Sequence, residues 1–330
     1  MRSRKIGVLI LIGSLFLQCA EKNHLEFLFR VALWANENHT WYQAFQHFDS
    51  LLQDRTQGRI KIEVYPSEQL AKEIESIRLI QAEVIEMTVT GSLLNNWIEI
   101  AAFCEMPFLL KDSLDKKSLI EGPIGQRIKR EMLEEVGLRP VGLFERGPRH
   151  LTSNRPIKHP DDLDGLILRV PNVPTFVTAW SAMGAKPTPM AFSEVFTSLQ
   201  QGTIEAQENP FDLILNAGFP EVQKYVNLTG HVISWSYPVI GEKQFQKLPG
   251  ELQEVFLQAA HDMEVFEHQL FLAGEQKVKQ ELVNKGMEFI EVDRKAFNKK
   301  CEDAIYRSLS DEMQQVYRSF VDERKGDSSI

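Results

Sequence analysis

The chain has 330 residues, of which 43% are hydrophobic and 25% are charged, and its formal net charge is −9. These values are typical of a soluble globular protein that is long enough for two lobes with cores of their own. The acidic balance and the lack of a basic stripe exclude nucleic acid as the expected partner, because binding it requires Lys and Arg to neutralise phosphates. An anion would have to be bound by a few arginines gathered in one place.

The first 19 residues predict a signal segment. Arg2, Arg4 and Lys5 precede an apolar stretch over residues 6–17, which is shorter than the roughly 20 residues that span a bilayer. Cys19 follows, as in a lipoprotein signal whose cysteine carries the lipid. We therefore expect a lipid on Cys19 that tethers the mature chain to a membrane. A secreted protein that is cut nearby is the alternative.

The next part of the chain alternates between strands and helices. Periodicity and breakers predict strands over residues 27–33, 59–65 and 84–89, which are separated by helices over residues 39–55 and 74–81. This order is typical of an α/β sheet with helices on its faces.

Two further strands, over about residues 138–147 and 232–240, are predicted to cross between lobes. Each lobe then consists of two separate stretches of chain, which is the layout of a receptor that closes about a hinge. The predicted division is lobe I over 24–146 plus about 235–275, and lobe II over 147–234 plus about 276–330. Helices are predicted over residues 248–282 and 295–320.

Arg169 is the side chain around which residues 166–210 are organised. Residues 166–170 predict a strand with one apolar face, so Arg169 points to the other face, near the carboxyl end where open α/β sheets bind ligands. A second strand, over residues 203–207, ends close to Asn209. A guanidinium and an amide at two strand ends indicate an anion site.

Two helices are predicted between these strands. Pro174 is placed as the first residue of one helix, and Ser193 as the cap of the other. Residues 186–189 contain two prolines and predict a rigid connector between the helices.

Three motifs in this region resemble the solute receptors of TRAP (tripartite ATP-independent periplasmic) transporters, DctP type. They are RVPN at 169–172, PTPMAFSEV at 187–195 and QENP at 207–210. The similarity extends from about residue 29 to residue 271 and is greatest to the sialic-acid-binding branch. It implies an α/β, two-lobed periplasmic binding protein fold with a hinged cleft between discontinuous lobes. It also implies a periplasmic receptor that delivers a carboxylate to the membrane permease subunits of a TRAP transporter, with no enzymatic activity, cofactor or metal.

The resemblance also implies a set of ligand-binding residues. Arg169 is expected to pair with the ligand carboxylate, because the planar guanidinium can donate two parallel hydrogen bonds. Arg149 matches a second family arginine that contacts the ligand, and Arg146 is the alternative candidate for that position. The other expected ligand-binding residues are Asn209, Phe192, Asn172, Glu73, Trp34 and Trp235.

Two departures from the sialic-acid receptors bear on the substrate. Gly91 and Leu94 stand where those receptors carry an acidic and a basic side chain. Together with Trp34 and Trp235, they predict a less polar cleft and hence a carboxylate with an apolar body.

Two alternatives remain open at this stage. One is a ligand sensor or scaffold with the same fold. The other is a carboxylic-acid lyase or isomerase that uses Glu73 or His150 as a general base. Cys104 and Cys301 lie far apart and form no CxxC motif, so no metal site or disulfide framework is expected.

Overall fold

The computed structural model describes residues 25–327, with side chains to residue 324. The predicted signal segment and Cys19 therefore lie outside the described residues. None of the helices within this part of the chain is both long enough and apolar enough to cross a membrane.

Ten strands lie within residues 25–327. They are β1 (Phe27–Ala32), β2 (Ile60–Tyr65), β3 (Met87–Thr90), β4 (Leu138–Pro140), β5 (Phe144–Ser153), β6 (Ile167–Val170), β7 (Lys186–Pro189), β8 (Ala206–Asn209), β9 (Tyr225–Gly241) and β10 (Glu288–Ile290). Side-chain alternation is clear in β2, where Ile60 and Ile62 are buried while Lys61 and Glu63 pair with each other outside the core.

Eleven α-helices lie in the same part of the chain. They are α1 (Thr40–Arg55), α2 (Glu73–Gln81), α3 (Ser113–Glu121), α4 (Pro123–Glu131), α5 (Pro174–Ala182), α6 (Val195–Gln200), α7 (Phe211–Asn216), α8 (Glu242–Gln246), α9 (Gly250–Asn284), α10 (Arg294–Ser308) and α11 (Asp311–Asp327). Pro174 occupies the first turn of α5, as predicted, since its missing N–H would have no partner there.

Strand β9 connects the two halves of the sheet. The strand order is β2-β1-β3-β9-β5-β8-β6-β7, and β4 and β10 also pair with β9. The carboxyl part of β9 pairs with β3 and β4, and its amino part pairs with β5 and β10. The long helix α9 packs on α1 in one half and on α7 in the other. Two lobes joined in this way can hinge through a few backbone torsions.

A β-bulge in β5 turns two arginines toward the same face. Arg146 lies opposite Ser234 and Arg149 lies opposite Val232, so three steps along β5 match two steps along β9. Side chains three residues apart on a regular strand point to opposite faces, and the extra residue of the bulge removes that difference. Arg146 and Arg149 consequently both line the space between the lobes.

Aromatic clusters fill the core of each lobe. In lobe I, Trp41, Phe45 and Phe48 of α1 pack with residues of α9 under the sheet. In lobe II, Trp180 of α5 and Phe297 of α10 belong to the larger core cluster. Each such side chain contributes about 1.5–3 kcal/mol of burial free energy, which makes the lobes rigid supports for the site between them.

Three local predictions were wrong. Residues 186–189 form strand β7 instead of a connector, because an edge strand tolerates proline where no neighbour needs its N–H. The strand expected over residues 203–207 begins later, as β8. Ser193 does not cap a helix, since it lies in a 3₁₀ turn and α6 starts two residues later without a side-chain cap.

The closing helix expected over residues 295–320 is two helices. Leu309, at the end of α10, is extended and breaks the helix. Helix α10 packs on α5, whereas α11 contacts α4 through the ion pair of Arg127 with Glu312 at 2.6 Å. The last stretch of chain therefore contacts both lobes, and the predicted lobe boundaries stay a prediction.

Candidate ligand-binding cleft

A cleft of about 450 Å³ lies between the lobes, beyond the carboxyl ends of β1, β3, β6, β7 and β8. Strands that end at one edge bring the loops after them together, so residues distant in sequence meet here. The charged residues that line the cleft are Glu68, Lys72, Glu73, Glu105, Arg146, Arg149 and Arg169.

Arg169 forms the cationic centre of the lobe II wall. Its Nε and Nη2 atoms donate to the backbone carbonyl of Met190, at 3.1 and 2.7 Å. Within the described residues it forms no ion pair, and burial lowers its pKa to about 10, although the charge of Glu208 acts in the opposite direction. The guanidinium edge that carries Nη1 is available to an anion in the cleft.

Arg149 is held by a buried carboxylate behind the wall. Its Nη2 donates to Oε1 of Glu208 at 2.7 Å, and its Nε donates to Oε2 of the same carboxylate at 2.5 Å. Burial by itself would raise the pKa of Glu208, but Arg149 holds that pKa at about 2. His231 lies 3.0 Å from Glu208 through Nε2. Arg149 therefore lines the cleft with most of its donors already used.

Asn209 ends a chain of buried amides and hydroxyls. Its Nδ2 donates to Gln207 at 2.6 Å, and Gln207 donates to the hydroxyl of Thr152 at 2.9 Å. Thr152 donates in turn to Gln223 at 3.0 Å. Such a chain fixes the orientation of the Asn209 amide before any ligand arrives.

Arg146 lies at the hinge and pairs with Glu105. Its Nη1 donates to Glu105, whose other oxygen accepts from Ser92 at 2.6 Å. The guanidinium carbon lies 5.6 Å from the centre of the Trp34 ring, a distance at which cation–π attraction operates. Burial lowers the pKa of Arg146, and its Nε is a buried donor without a partner. Arg146 therefore retains a donor that a ligand oxygen could satisfy.

Two glutamates of lobe I line the cleft and form no ion pair within residues 25–324. Glu73 accepts from the Thr90 hydroxyl at 2.8 Å, and its low-dielectric position raises its pKa to about 7. Burial also raises the pKa of Glu68, whose Oε2 is buried without a hydrogen-bond partner. Both carboxyl groups can accept from or donate to a hydroxyl, depending on protonation.

Contacts between the lobes close the mouth of the cleft. Trp34 and Phe192 meet edge to face, with ring centres 5.5 Å apart. Lys72 on the lobe I side forms an ion pair with Glu194 on the lobe II side. Both members of that pair are about half exposed, so solvent screens their attraction.

The structure brings together seven of the eight predicted ligand-binding residues. The cleft is lined by Arg169, Arg149, Asn209, Phe192, Asn172, Glu73 and Trp34. Their contact with a ligand stays a prediction.

Trp235 was wrongly placed in the cleft. It is fully buried, and the next residue, Ser236, faces the cleft instead, because neighbouring side chains on β9 point to opposite faces. Leu94 is likewise a core residue, and Leu93 lines the cleft beside Gly91. Of the four residues that predicted a less polar cleft, Leu94 and Trp235 do not reach it, whereas Gly91 and Trp34 do.

His150 is no candidate base either. It is buried away from the cleft, with its ring stacked on Phe211 at 4.5 Å, and its Nδ1 accepts from the backbone N–H of Gly230. Burial lowers its pKa to about 3.

Sequence reasoning missed Glu68, Lys72, Ser92 and Glu105, and it gave Arg146 second place. The alternation of β9 could have found Ser236. No local pattern marks Glu68 or Glu105, since Glu68 reaches the cleft from a turn and Glu105 from the end of a 3₁₀ helix.

Metal and disulfide sites can be checked only in the described part of the chain. There, no group of three or more His, Cys, Asp or Glu side chains could hold a metal ion. Cys104 and Cys301 are both buried and unpaired.

Two hinged α/β lobes around a cleft with a buried arginine define a periplasmic binding protein. A model of the family "bacterial extracellular solute-binding protein, family 7" (DctP) matches residues 31–320. The chain belongs to this family. It is an extracytoplasmic solute receptor that binds an organic anion and delivers it to a TRAP-type secondary transporter.

Solved and curated relatives support this membership along most of the chain. The TRAP solute-binding protein of Roseobacter denitrificans, solved with L-galactonate, has 44% identity and a TM-score of 0.87, covering 90% of this chain and 99% of that one. A Haemophilus influenzae receptor solved with L-gulonate has 32% identity and a TM-score of 0.82, covering 90% and 98%. The 2,3-diketo-L-gulonate-binding protein of Escherichia coli is 34% identical over 77% of this chain and 78% of its own length.

The predicted nearness to the sialic-acid branch is corrected by these relatives. The sialic-acid-binding protein of Vibrio cholerae is 30% identical over 76% of this chain and 78% of its own length, which makes that branch a more distant relative. The motifs at 169–172 and 187–195 identify the family but not the branch. The family is one of receptors, and the absence of enzymatic activity stays a prediction.

Proposed function

We propose that the receptor binds a sugar acid, with its carboxylate on Arg169 and its hydroxylated chain against lobe I. One observation carries this proposal: Arg169 is a buried cation with only a backbone carbonyl as partner. Leaving such a charge without a counterion is costly, so an anionic ligand gains most at this position.

Asn209 and Asn172 are proposed to complete the carboxylate shell beside Arg169. Both line the cleft, and the amide of Asn209 is already oriented by Gln207. Arg149 is proposed to contribute mainly its charge, since Glu208 occupies two of its nitrogens.

The opposite wall is proposed to bind hydroxyl groups. The spare donor of Arg146, the hydroxyl of Ser92 and the carboxyl of Glu73 can each pair with a ligand hydroxyl. Ser92 and Glu73 already have one protein partner each. An apolar ligand body would leave the Nε donor of Arg146 unpaired, at a cost of about 1–3 kcal/mol. The expectation of an apolar body rested on Gly91, Leu94, Trp34 and Trp235. Leu94 and Trp235 are core residues, and the polar groups of the cleft favour a polyhydroxylated body instead.

The ligands of relatives agree with this proposal. The Roseobacter receptor was solved with L-galactonate and the Haemophilus receptor with L-gulonate. The Escherichia coli relative is named for 2,3-diketo-L-gulonate. All three ligands combine one carboxylate with a hydroxylated chain.

Delivery is proposed to follow lobe closure over the ligand. A ligand can stabilise the closed lobes only by binding them better than the open lobes. Trp34, Phe192 and the other cleft residues reach the ligand from both sides, so closure increases their contacts. A lipid on Cys19 would hold the receptor near its permease, and this tether stays part of the proposal.

The test is binding by the purified mature chain. Native mass spectrometry should first identify any small molecule carried through purification. Titration calorimetry should then show binding of L-galactonate or L-gulonate, and much weaker binding of phenylpyruvate and hexanoate. An Arg59→Ala variant, changed far from the cleft, should bind like the parent. Tight binding of the apolar acids alone would contradict the proposal.

A further inference from the structure

The basic side chains that line the cleft differ in whether a carboxylate neutralises their charge. Arg149 pairs with Glu208, Arg146 pairs with Glu105 and Lys72 pairs with Glu194. Arg169 alone among these described residues donates only to a backbone carbonyl. The cleft therefore offers one uncompensated positive charge, on the lobe II wall.

Glu68 and Glu73 show the reverse situation on the lobe I wall. Neither forms an ion pair within the described residues. Glu73 receives one hydrogen bond from Thr90, and Glu68 has an oxygen that is buried without a partner. Glu68 is close enough to Lys72 and Arg169 for their charges to act on it, whereas the cation that acts on Glu73 is Arg146. A ligand that extends from Arg169 to the lobe I wall would therefore have its second end near Glu73.

We propose that the receptor selects monocarboxylates and rejects dicarboxylates with the same carbon skeleton, and that Glu73 provides the discrimination. The inference rests on the proposed function and adds a charge rule to it. Rejection of a competitor by a like charge is a common route to specificity.

The physical argument concerns the end of the ligand that is far from Arg169. A hydroxymethyl group there can donate to a carboxylate oxygen of Glu73. A second carboxylate at the same place cannot donate, and Arg146, the cation that acts on Glu73, already pairs with Glu105. Placing like charges together in a water-poor cleft costs several kcal/mol, which is about 100-fold or more in affinity.

The surroundings of Glu73 support an ionised acid at alkaline pH. Its desolvation raises its pKa to about 7, Arg146 acts in the opposite direction, and Glu105 and Glu68 raise the pKa further. At pH 8.5 Glu73 is mainly ionised and repels a second carboxylate. At pH 5.5 it is protonated and can donate to that carboxylate. The ratio of the affinities for monoacid and diacid should therefore be smaller at pH 5.5.

The experiment compares two pairs of acids by calorimetry at pH 8.5 with the mature chain. The pairs are L-galactonate with galactarate and L-gulonate with glucarate, in which the diacid differs only by oxidation of the terminal carbon. In the pair that binds, we expect the affinity for the monoacid to exceed the affinity for the diacid by about 100-fold. Equal affinity for the diacid would overturn the inference while leaving the proposed function intact. Binding of neither member of either pair would contradict the proposed function, and the charge rule with it.

Two variants assign the discrimination to particular residues. Glu73→Gln keeps the shape and the hydrogen bond to Thr90, and should reduce the preference by about tenfold. Glu75→Gln, on the exposed side of the same helix, should leave it unchanged. Melting temperatures of both variants check that they fold, and Glu73→Ala repeats the test if Glu73→Gln does not fold. If the folded Glu73→Gln variant preferred the monoacid as strongly as the parent does, the assignment to Glu73 would be overturned.

Discussion

The two walls of the cleft are built on different principles. On lobe II, Arg149, Glu208 and His231 form a buried network, and Asn209 is oriented by Gln207. On lobe I, Glu68 and Glu73 are acidic groups whose pKa values are raised by burial, and neither forms an ion pair within the described residues.

This difference suggests separate tasks for the two walls, with lobe II binding the carboxylate and lobe I distinguishing one ligand from another. A preorganised wall loses little entropy when an anion binds, so lobe II suits the part that every acidic ligand shares. An uncompensated acidic wall responds to what the rest of the ligand carries, so lobe I suits the choice between ligands. Four substitutions test this difference between the walls, and they follow in order from the largest expected effect to the smallest.

Removing Arg149 should damage the lobe II wall as a structure. Arg149→Met leaves Glu208 buried without its ion pair, and breaking a buried pair costs about 3–5 kcal/mol. Urea denaturation should show this loss in the free energy of unfolding. Arg55→Met is the matched control, because the pair of Arg55 with Asp262 is largely exposed. A loss for Arg149→Met no larger than that of the control would show that the wall does not depend on the network.

Removing Arg169 should abolish capture with little loss of stability. Arg169→Ala should weaken binding by about 2–5 kcal/mol, because the ligand carboxylate would be buried without a partner. The ligand-free variant should melt at or above the parent's temperature, since the removed charge has no carboxylate partner. Arg169→Lys should restore only part of the affinity, measured by calorimetry, because an ammonium group lacks the planar fork. Parental affinity in Arg169→Lys would contradict two-point binding.

The hinge between the walls should give a pH-dependent stability through Glu267. This buried residue of α9 accepts hydrogen bonds from Thr40 and from the backbone N–H of Glu145. Burial raises its pKa to about 8, and the neighbouring charges of Glu145 and Asp212 add to the rise. The folded chain therefore holds a proton that the unfolded chain releases above its usual pKa of 4.5, so stability should fall as pH rises from there to about 8.

Glu267→Gln should remove that fall. The amide oxygen can accept from the N–H of Glu145 while the amide NH2 donates to the Thr40 hydroxyl, so both contacts persist without a charge. We expect a gain of about 1–3 kcal/mol at pH 8.5 and almost none at pH 4.5. Thermal melts across this pH range provide the measurement. Glu254→Gln, on the exposed face of the same helix, is the control. A parental pH profile in Glu267→Gln would assign the fall to other groups.

The exposed link between the walls should matter least. Lys72→Gln removes the ion pair with Glu194 at the mouth of the cleft. Because both side chains are half exposed, we expect no more than a small change in affinity, confined to low salt. Calorimetry at two ionic strengths checks this. A large, salt-independent loss would mean that the pair holds the lobes closed.

The sequence by itself determined the fold class and the lobe II half of the site. Local signals are sufficient there: a short apolar strand places Arg169, Pro174 opens the next helix, and the motifs at 169–172 and 207–210 identify the family. Strand alternation and helix breakers act within a few residues, so one stretch of chain contains the information.

Only the tertiary structure determined which residues line the lobe I wall and which partner each arginine binds. Glu68 reaches the cleft from a turn, and Ser92 and Glu105 reach it from the ends of 3₁₀ helices. The direction of such short segments depends on packing between distant elements. The pairing of Arg149 with Glu208 depends on the antiparallel register of β5 and β8, and the common face of Arg146 and Arg149 depends on a bulge against β9. Charge compensation is a property of contacts between separate strands, and no window of sequence contains it.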